Sequence, residues 1–315
     1  MARRQPVIAA WGAGVDSTAM IIELAARGEP PNVVLMADTG SERPETEAYV
    51  PLFRTWMDEH GIENHVVHYE PKRFKHWPPY GSLVENLLTN ATLPSIAFNR
   101  HSCSQKWKIA PQDKWTEQWP PALAAWACGD RVIKLIGYDC SPADNKRYAH
   151  REGHIDARFD FRYPLREWGW TREDCIACIR AAGLPVPVKS SCFVCVAMKP
   201  DEVRSLPARY LRLIVLVEAR AKPRLRTVDG LWRSPIAGKR GAEPRPGAMT
   251  DLIRAEQLLP EHEIDHIIRT APAELISFQE AAACVDLGDR PAMREWLDRF
   301  NAGLDHGSGI DRLAA

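Results

Sequence analysis

The 315-residue sequence has no net charge, no internal repeat and no hydrophobic run long enough to cross a membrane. Lysine and arginine together number 41, and so do aspartate and glutamate, which excludes a general attraction of the whole chain for polyanions. A membrane-spanning helix needs about 20 consecutive apolar residues. The first residues show no small-residue cleavage site, so we expect no signal peptide, no membrane contact and a cytoplasmic location.

Disulfides are not expected either, because cytoplasmic proteins keep their thiols reduced. The eight cysteines are then available for metal binding, catalysis or burial. Cys192 and Cys195 form a Cys-x-x-Cys pair, and both thiolates can bind one metal or cluster if distant cysteines complete the site. Cys128, Cys140 and Cys284 have no partner at such a spacing, so we expect them to pack in a core.

Apolar strands and helices alternate through the first 140 residues. We predict strands at 6–11, 32–37, 61–69 and 131–138, and helices at 17–27 and 45–60. This alternation predicts an α/β fold with a doubly wound parallel sheet. Ligands of such sheets bind where the strands end, and Gly12, Asp38 and Gly137 each follow a predicted strand.

The C-terminal third is predicted to be a helical and basic extension, residues 201–315, appended to an α/β domain of residues 1–200. A helix is expected at 202–220, and short helices over the last 60 residues. Residues 199–245 contain 12 basic against 5 acidic residues, whereas residues 251–312 contain 6 against 13. This asymmetry indicates either a surface for a polyanion or two segments that pair with each other.

A glycine-rich turn, Gly12-Ala13-Gly14-Val15-Asp16-Ser17-Thr18, lies between the first predicted strand and helix. Small residues let the backbone approach a phosphate, and the N–H groups at a helix start point toward the anion. Such a turn also occurs without any ligand, so its spacing alone leaves both interpretations open.

Four ordered motifs together resemble one superfamily, the PP-loop ATP pyrophosphatases and phosphoadenylyl-sulfate (PAPS) reductases. The glycine-rich turn is similar to their Ser-Gly-Gly-x-Asp-Ser loop, with Gly12 and Ala13 at the two positions that differ. The other matching segments are Asp38-Thr39-Gly40 with Pro44-Glu45-Thr46, Lys108-Ile109-Ala110-Pro111, and Gly137 with Arg147. The resemblance covers about residues 7–200 and is consistent with the α/β prediction.

The resemblance implies binding of ATP or a related adenine nucleotide, with Mg²⁺, and chemistry at a phosphate. It implies nucleotide-binding roles for Gly12, Gly14, Ser17, Thr18, Asp38, Thr39, Gly40, Lys108 and Gly137, and catalytic roles for Asp16, Ser17, Asp38 and Arg147. Asp16 would orient the loop or hold Mg²⁺, and Arg147 would neutralise phosphate charge. A turn-forming Asp38 and a solvated Arg147 are the structural alternatives.

The cysteines resemble the [4Fe–4S] ligands of iron–sulfur adenylyl-sulfate reductases, which use a tandem Cys-Cys and a later Cys-x-x-Cys. Cys103 matches the first tandem cysteine, Ser104 replaces the second, and Cys192 and Cys195 match the later pair. Cys175 is the candidate for the fourth ligand, with Cys178 next, and Lys108 would lie near the cluster. Four-thiolate zinc and reduced buried thiols are the alternatives, because spacing does not separate them.

PAPS reductases and their relatives carry a C-terminal Glu-Cys-Gly-x-His nucleophile, and no cysteine follows Cys284 here. We therefore predict an adenylating ATP pyrophosphatase and sulfurtransferase with a [4Fe–4S] cluster. Its expected partners are a sulfur-donor protein and a nucleic-acid acceptor along residues 199–245. The alternatives are a PAPS or adenylyl-sulfate reductase and a non-catalytic nucleotide- or zinc-binding module. The oligomeric state is left open.

Overall fold

The structure is a computed structural model that describes residues 5–71, 78–94, 96–97, 100–101, 103–238, 243–286 and 288–307. These residues fall into two units. Unit 1 consists of residues 5–38, 42–69 and 104–191, and unit 2 of the described parts of 39–41, 70–103 and 192–307. The chain thus enters unit 2 at Cys192, earlier than the predicted boundary at residue 200, and unit 2 also takes two earlier segments.

A parallel sheet of five strands organises unit 1. The strands of the described chain are β1 (Val7–Trp11), β2 (Val33–Asp38), β3 (Asn64–His68), β4 (Ile96–Ala97), β5 (Arg100–His101), β6 (Val132–Ile136) and β7 (Phe159–Arg162). The sheet has the order β3-β2-β1-β6-β7 and every pairing in it is parallel, whereas β4 and β5 form a short antiparallel pair in unit 2. The predicted α/β class and four predicted strands are confirmed, and β7 is an additional edge strand.

Helices account for most of the remaining described residues. They are α1 (Val15–Ala26), α2 (Pro44–Glu59), α3 (Leu83–Asn90), α4 (Ala110–Thr116), α5 (Pro120–Ala127), α6 (Pro142–Ala149), α7 (Pro164–Glu167), α8 (Arg172–Ala181), α9 (Pro200–Arg204), α10 (Ala208–Ala221), α11 (Met249–Ala255), α12 (Glu261–Ala283) and α13 (Met293–Gly307). A π-helical turn spans Ser104–Ile109 and a 3₁₀ turn spans Lys222–Arg224.

Both faces of the sheet are covered, because successive side chains of a strand point to opposite sides. Ala9 and Val34 pack in a cluster with residues of α1, α2 and α8, whereas their neighbours Ile8 and Val33 pack with Ala122 of α5 on the other side. Two such clusters on alternating strand residues are the signature of a doubly wound sheet. The carboxyl ends of β1, β2 and β6 therefore form one edge in unit 1.

Unit 2 is mainly helical, and α10 packs against α3, α11 and α12. The helix predicted at 202–220 is two helices, because Pro207 separates α9 from α10. The prediction of only short C-terminal helices is wrong, since α12 runs for 23 residues. None of the helices in the described ranges is both long and apolar enough to span a membrane.

Candidate nucleotide site and thiol cluster

The glycine-rich turn connects the end of β1 to the start of α1 and is held by its own hydrogen bonds. The Ser17 hydroxyl accepts a hydrogen bond from the Gly12 N–H at 3.2 Å and donates to the Gly14 carbonyl at 3.4 Å. Ala13 has a φ of +53°, in the left-handed region that glycine adopts more readily. A strained backbone in a turn between a strand and a helix is typical of functional loops.

Of the two predicted hydroxyls of this turn, Thr18 has a structural contact. Its side chain is fully buried, and its Oγ1 accepts a hydrogen bond from Trp11 Nε1 at 3.0 Å. Ser17 is half-buried and lies at the mouth of the turn. Thr18 therefore anchors α1 to the core, and Ser17 is the hydroxyl better placed for a phosphate.

Two neighbours approach the turn closely, and one of them approaches so closely that it requires glycine. A Cβ on Gly137, just after β6, would lie 2.7 Å from Ser17 Cα, and a Cβ on Gly14 would lie 3.0 Å from Ser190 Oγ. The first distance is far below van der Waals contact, so β6 can end against the start of α1 only with glycine at position 137. The Ser190 hydroxyl, which the sequence did not single out, faces the turn from the chain that precedes Cys192.

Three carboxylates gather at this edge of the sheet. Oxygens of Asp16, Asp139 and Asp144 all lie within 4.8 Å of one another, and Asp139 and Asp144 are buried. Burial is the main reason that the pKa of Asp16 is raised to about 6, and the charges of Asp139 and Asp144 raise it further. Burial also raises the pKa of Asp144. The edge thus concentrates negative charge that prefers a counter-ion.

Two arginines partly neutralise this carboxylate cluster. Arg172, in the first turn of α8, donates from Nη1 to both oxygens of Asp16 at 2.8 and 3.0 Å, and Arg147 donates to Asp144 at 2.8 Å. Arg147 is otherwise exposed. Mg²⁺ in nucleotide sites takes one or two carboxylates together with phosphate oxygens. Asp16, Asp139 and Asp144 fit that donor set, and only Asp16 of the three was predicted.

The segment after β2 is a second polar region of unit 1. Asp38 Oδ2 lies 3.8 Å from His68 Nδ1, and Lys108 Nζ lies 3.4 Å from the buried Glu42. The Oγ atoms of Thr46 and Ser191 are buried without a hydrogen-bond partner within the part of the chain that the structure describes. Buried hydroxyls normally have a partner, so these two atoms are consistent with a polar ligand.

Thr39 and Gly40 lie in unit 2, where they contact the region of the Cys-x-x-Cys. Thr39 Oγ1 is 3.2 Å from Cys192 Sγ, and Phe193 N–H donates to the Ser41 carbonyl at 3.0 Å. Gly40 has a φ of +61°, and a Cβ there would lie 2.7 Å from Ser82 Cβ. Both residues support the thiol region, and their predicted nucleotide-binding role stays a prediction.

Three of the four predicted metal ligands share unit 2, namely Cys103, Cys192 and Cys195. Cys192 is buried, and the Cys195 N–H donates to the Cys192 carbonyl at 3.0 Å, which closes the turn between them. Tetrahedral zinc with Zn–S bonds of about 2.3 Å needs thiolates about 3.8 Å apart. Among the described residues, three ligand atoms come within 4.8 Å of one another at the carboxylate cluster and not at these thiols, so zinc gains no support.

Cys175 belongs to unit 1, in the hydrophobic core between α8 and α1. Burial, followed by the charges of Asp16 and Asp139, raises the pKa of its thiol. A metal ligand must be a thiolate, so these surroundings do not favour the predicted ligand role. Burial likewise raises the pKa of Cys178 to about 11, and its Sγ contacts the Ala19 carbonyl at 3.8 Å.

The expectation of core packing for the remaining cysteines is wrong for two of them. Cys128 and Cys284 are exposed, and each follows the last residue of a helix, α5 and α12 respectively. The chain turns at the surface at both positions, which leaves the thiols outside the core.

No protein-family model matches this sequence, and no curated protein matches it significantly. Among solved structures, 46 chains are similar. The phosphate complex of PAPS reductase from Candida auris matches at 14% identity and a TM-score of 0.35, over 58% of this chain and 76% of that one. The U34-tRNA thiolase NcsA from Methanococcus maripaludis, with its [4Fe–4S] cluster, matches at 14% identity and a TM-score of 0.37, over 91% of this chain and 78% of that one.

Both solved structures are of the kinds of enzyme that the sequence motifs resemble. At these identities and TM-scores the likenesses carry no argument about function, which therefore depends on the residues described above.

Proposed function

We propose that this protein is an enzyme that cleaves ATP between its α- and β-phosphates to adenylate an acceptor, which then receives sulfur. The observation that supports this most is the carboxylate cluster of Asp16, Asp139 and Asp144 beside the glycine-rich turn. The turn offers N–H groups for phosphate, and the cluster offers oxygens for the divalent cation that ATP carries. Both lie where ligands of parallel sheets bind.

In the adenylation step, an acceptor oxygen forms a bond to the α-phosphorus while the bond from that phosphorus to the bridging oxygen breaks. Pyrophosphate leaves with the electron pair, and the proton of the acceptor passes to solvent. Bound Mg²⁺ would supply charge neutralisation on the phosphates. Gly14 and Ser17 hold the phosphates, and Arg172 and Arg147 keep the carboxylates in place.

In the sulfur step, hydrosulfide from a donor protein forms the new bond to the acceptor carbon while the carbon–oxygen bond breaks and AMP leaves. No electrons are gained or lost in this sequence. The residues that would hold a [4Fe–4S] cluster are Cys103, Cys192 and Cys195, and the Thr39 hydroxyl at 3.2 Å from Cys192 Sγ would tune that ligand. A [4Fe–4S] cluster held by these three thiolates would leave one iron without a protein thiolate and would supply the sulfur chemistry of this step.

The nucleic-acid acceptor stays part of this proposal, but its expected surface changes. Arg204 pairs with Glu256 and Glu243, and Arg212 pairs with Glu263. Arg220 donates to the Gln279 side chain and to the Leu88 carbonyl. Two arginines of residues 199–245, Arg204 and Arg212, are thus paired with the acidic segment that follows. These contacts favour the interpretation that the two segments pair with each other.

The adenylation activity is tested by pyrophosphate and AMP release from ATP with anaerobically purified protein. We expect Asp139→Asn to lower turnover about 100-fold or more, since it removes a carboxylate that would hold the divalent cation against the phosphates. Asp160→Asn, on β7 and paired with Arg131, is the matched control and should retain turnover. Unchanged turnover of Asp139→Asn would contradict the assignment, and so would sulfite release from PAPS in place of pyrophosphate release from ATP.

The cluster is tested by iron and acid-labile sulfide analysis of the same preparation. Cys192→Ala should lose both, whereas the exposed Cys128→Ala is the control and should retain both. Cys175→Ala tests whether Cys175 is the fourth ligand. Full iron content in this variant would mean that only Cys103, Cys192 and Cys195 hold the cluster. A colourless wild-type protein with full ATP turnover would overturn the cluster assignment and leave the adenylation intact.

A further inference from the structure

A pocket of about 510 Å³ opens in unit 1 where β7 ends. Its walls are the end of α6 with the loop that follows, from Tyr148 to His154, and the last residues of β7 with the start of α7, from Phe161 to Glu167. We call it the β7 pocket. Because the sheet is parallel, this pocket opens at the same edge as Gly12 and Gly137. Its volume is typical of ligand sites, which are about 300–1,000 Å³.

Flat side chains line the β7 pocket. Tyr148 meets Tyr163 edge to face with ring centroids 5.0 Å apart, and His154 lies 6.0 Å from Phe161. Phe161, Tyr163 and Tyr148 are each half-buried, so part of each ring is accessible. Each of the nucleobases can stack on such rings, because every base has a flat π face.

Positive charge accompanies these rings. Arg162 is engaged by Glu167, and Arg166 lies over the Tyr148 ring at 4.1 Å while donating to Asn145 Oδ1 at 2.8 Å. Arg151, in contrast, forms no ion pair with any carboxylate in the described ranges, although Glu152 is its neighbour in the chain. A half-buried guanidinium beside aromatic rings suits a phosphate that follows a stacked base.

The β7 pocket is joined to the carboxylate cluster by a direct hydrogen bond. Arg166 Nη1, in the pocket wall, donates to the carbonyl of Asp139 at 2.9 Å. An occupant of the pocket therefore lies beside the site where the α-phosphate is expected. If the nucleotide extends from the turn toward Asp38 after β2, the β6–β7 side of the edge is left for the acceptor.

We propose that the β7 pocket binds one base of a single-stranded nucleic acid as the acceptor, with Arg151 on its phosphate. This inference rests on the proposed adenylation, and it names the acceptor class and its site. Arginines of the basic segment in unit 2 are paired with acidic residues, which favours a different binding site for the acceptor. The β7 pocket has aromatic rings and an arginine in its wall, and it lies next to the carboxylate cluster.

The test measures binding of fluorescent oligonucleotides to the cluster-loaded full chain: single-stranded RNA, single-stranded DNA of the same sequence, and the duplex. Arg151→Ala should weaken single-strand binding about tenfold, and Arg151→Lys should restore part of it. Tyr148→Leu should weaken binding by a similar factor, whereas Tyr148→Phe keeps the ring and should bind normally. Arg180→Ala, an exposed arginine on α8, is the matched control.

The ATP affinity of the same variants separates the acceptor from the cofactor. We expect it to change less than twofold. Loss of ATP affinity with unchanged oligonucleotide binding would mean that the pocket receives the adenine of ATP. Equal affinity for the single strand and the duplex would mean that the protein does not bind an unpaired base. Either result overturns the proposal. If pyrophosphate release fails while Arg151→Ala still loses single-strand binding, the adenylation is wrong and the pocket stands.

Discussion

Asp16 in unit 1 and Glu218 in unit 2 are both largely buried carboxylates, but their surroundings differ. Glu218 accepts hydrogen bonds from the N–H groups of Leu231, Met249 and Thr250 at 2.6, 3.0 and 2.8 Å, and from the Thr250 hydroxyl at 2.5 Å. Asp16 has one arginine partner and faces Asp139 and Asp144. Burial raises the pKa of both carboxyl groups, but hydrogen bonds oppose this shift at Glu218, whereas the charges of Asp139 and Asp144 add to it at Asp16.

Glu218 is a carboxylate that stabilises the fold, whereas Asp16 belongs to the cluster that we propose to bind a divalent cation. Glu218 fastens Leu231, which lies between α10 and α11, and caps the first turn of α11. Like charges held close together, with a perturbed pKa among them, are typical of functional sites. We therefore expect the carboxylate cluster of unit 1 to lower stability, and the hydrogen bonds of Glu218 in unit 2 to raise it.

The largest expected effect is at Glu218. We expect Glu218→Gln to lower the free energy of unfolding by about 2–4 kcal/mol, because an amide nitrogen would face donors and leave buried N–H groups unsatisfied. Urea denaturation gives the total effect, and hydrogen exchange at Leu231, Met249 and Thr250 should show the loss of protection locally. Glu280→Gln, exposed on α12, is the control. A free energy of unfolding equal to that of the wild type would mean that the hydrogen bonds of Glu218 do not stabilise the fold.

At Asp16 the same type of substitution should act in the opposite direction. The pKa raised to about 6 means that folding disfavours the ionised carboxyl. We expect Asp16→Asn to raise the free energy of unfolding by about 1–3 kcal/mol at pH 8 without Mg²⁺, since each pKa unit corresponds to about 1.4 kcal/mol. Turnover should fall in the same variant. Lower stability at pH 8 would show that the Arg172 pair outweighs the repulsion.

The pH dependence of the wild type follows from the same shift. Between about pH 4 and pH 7 the native state binds more protons at Asp16 than the unfolded state, so this carboxyl makes stability fall as the pH rises. Its contribution becomes constant only above about pH 7, where the carboxyl is ionised in both states. The difference in stability between Asp16→Asn and the wild type should therefore grow from about pH 4 to about pH 7 and then remain level.

Most strands of the sheet in unit 1 could be predicted from the sequence, and the edge strand β7 could not. Strands β1, β2 and β6 are largely apolar runs between turns, and such runs are visible in a sequence. Strand β3 is a weaker one, because only Val66 and Val67 of its five residues are apolar. The four residues of β7, Phe159-Asp160-Phe161-Arg162, alternate and are too few to give a signal. The resemblance led to the turn at 12–18, and Gly137 is explained by its close approach to Ser17.

Contacts between segments that are far apart in the chain could not be predicted from the sequence. Asp139 and Asp144 follow β6 and join Asp16 only because the ends of β1 and β6 are neighbours in a parallel sheet. Arg172 reaches Asp16 from 156 residues away. Glu218 lies inside an amphipathic helix and looks like an ordinary surface residue, because its donors are on two later segments.

The smallest expected effect concerns two alanines with left-handed backbone, one in each unit. Ala13 has a φ of +53° in the glycine-rich turn, and Ala91 has a φ of +48° after α3. Both are buried. Replacing either by glycine should raise the free energy of unfolding by about 0.5–1 kcal/mol, because the relief of left-handed strain exceeds the entropy that glycine loses on folding. Urea midpoints of Ala13→Gly and Ala91→Gly measure this, and lower midpoints would show that neither residue is strained.

ATP affinity should separate these two variants. Ala91 lies at the end of a helix in unit 2, where its N–H donates to the Leu88 carbonyl, so Ala91→Gly should bind ATP as the wild type does. We expect Ala13 to restrict the glycine-rich turn to few conformations, whereas glycine would let the turn sample others before ATP binds. We expect Ala13→Gly to bind ATP about two- to fivefold more weakly, since ordering the turn then opposes binding. Equal ATP affinity of both variants would mean that the strain at Ala13 is no more functional than that at Ala91, and that the turn is preorganised by the Ser17 hydrogen bonds alone.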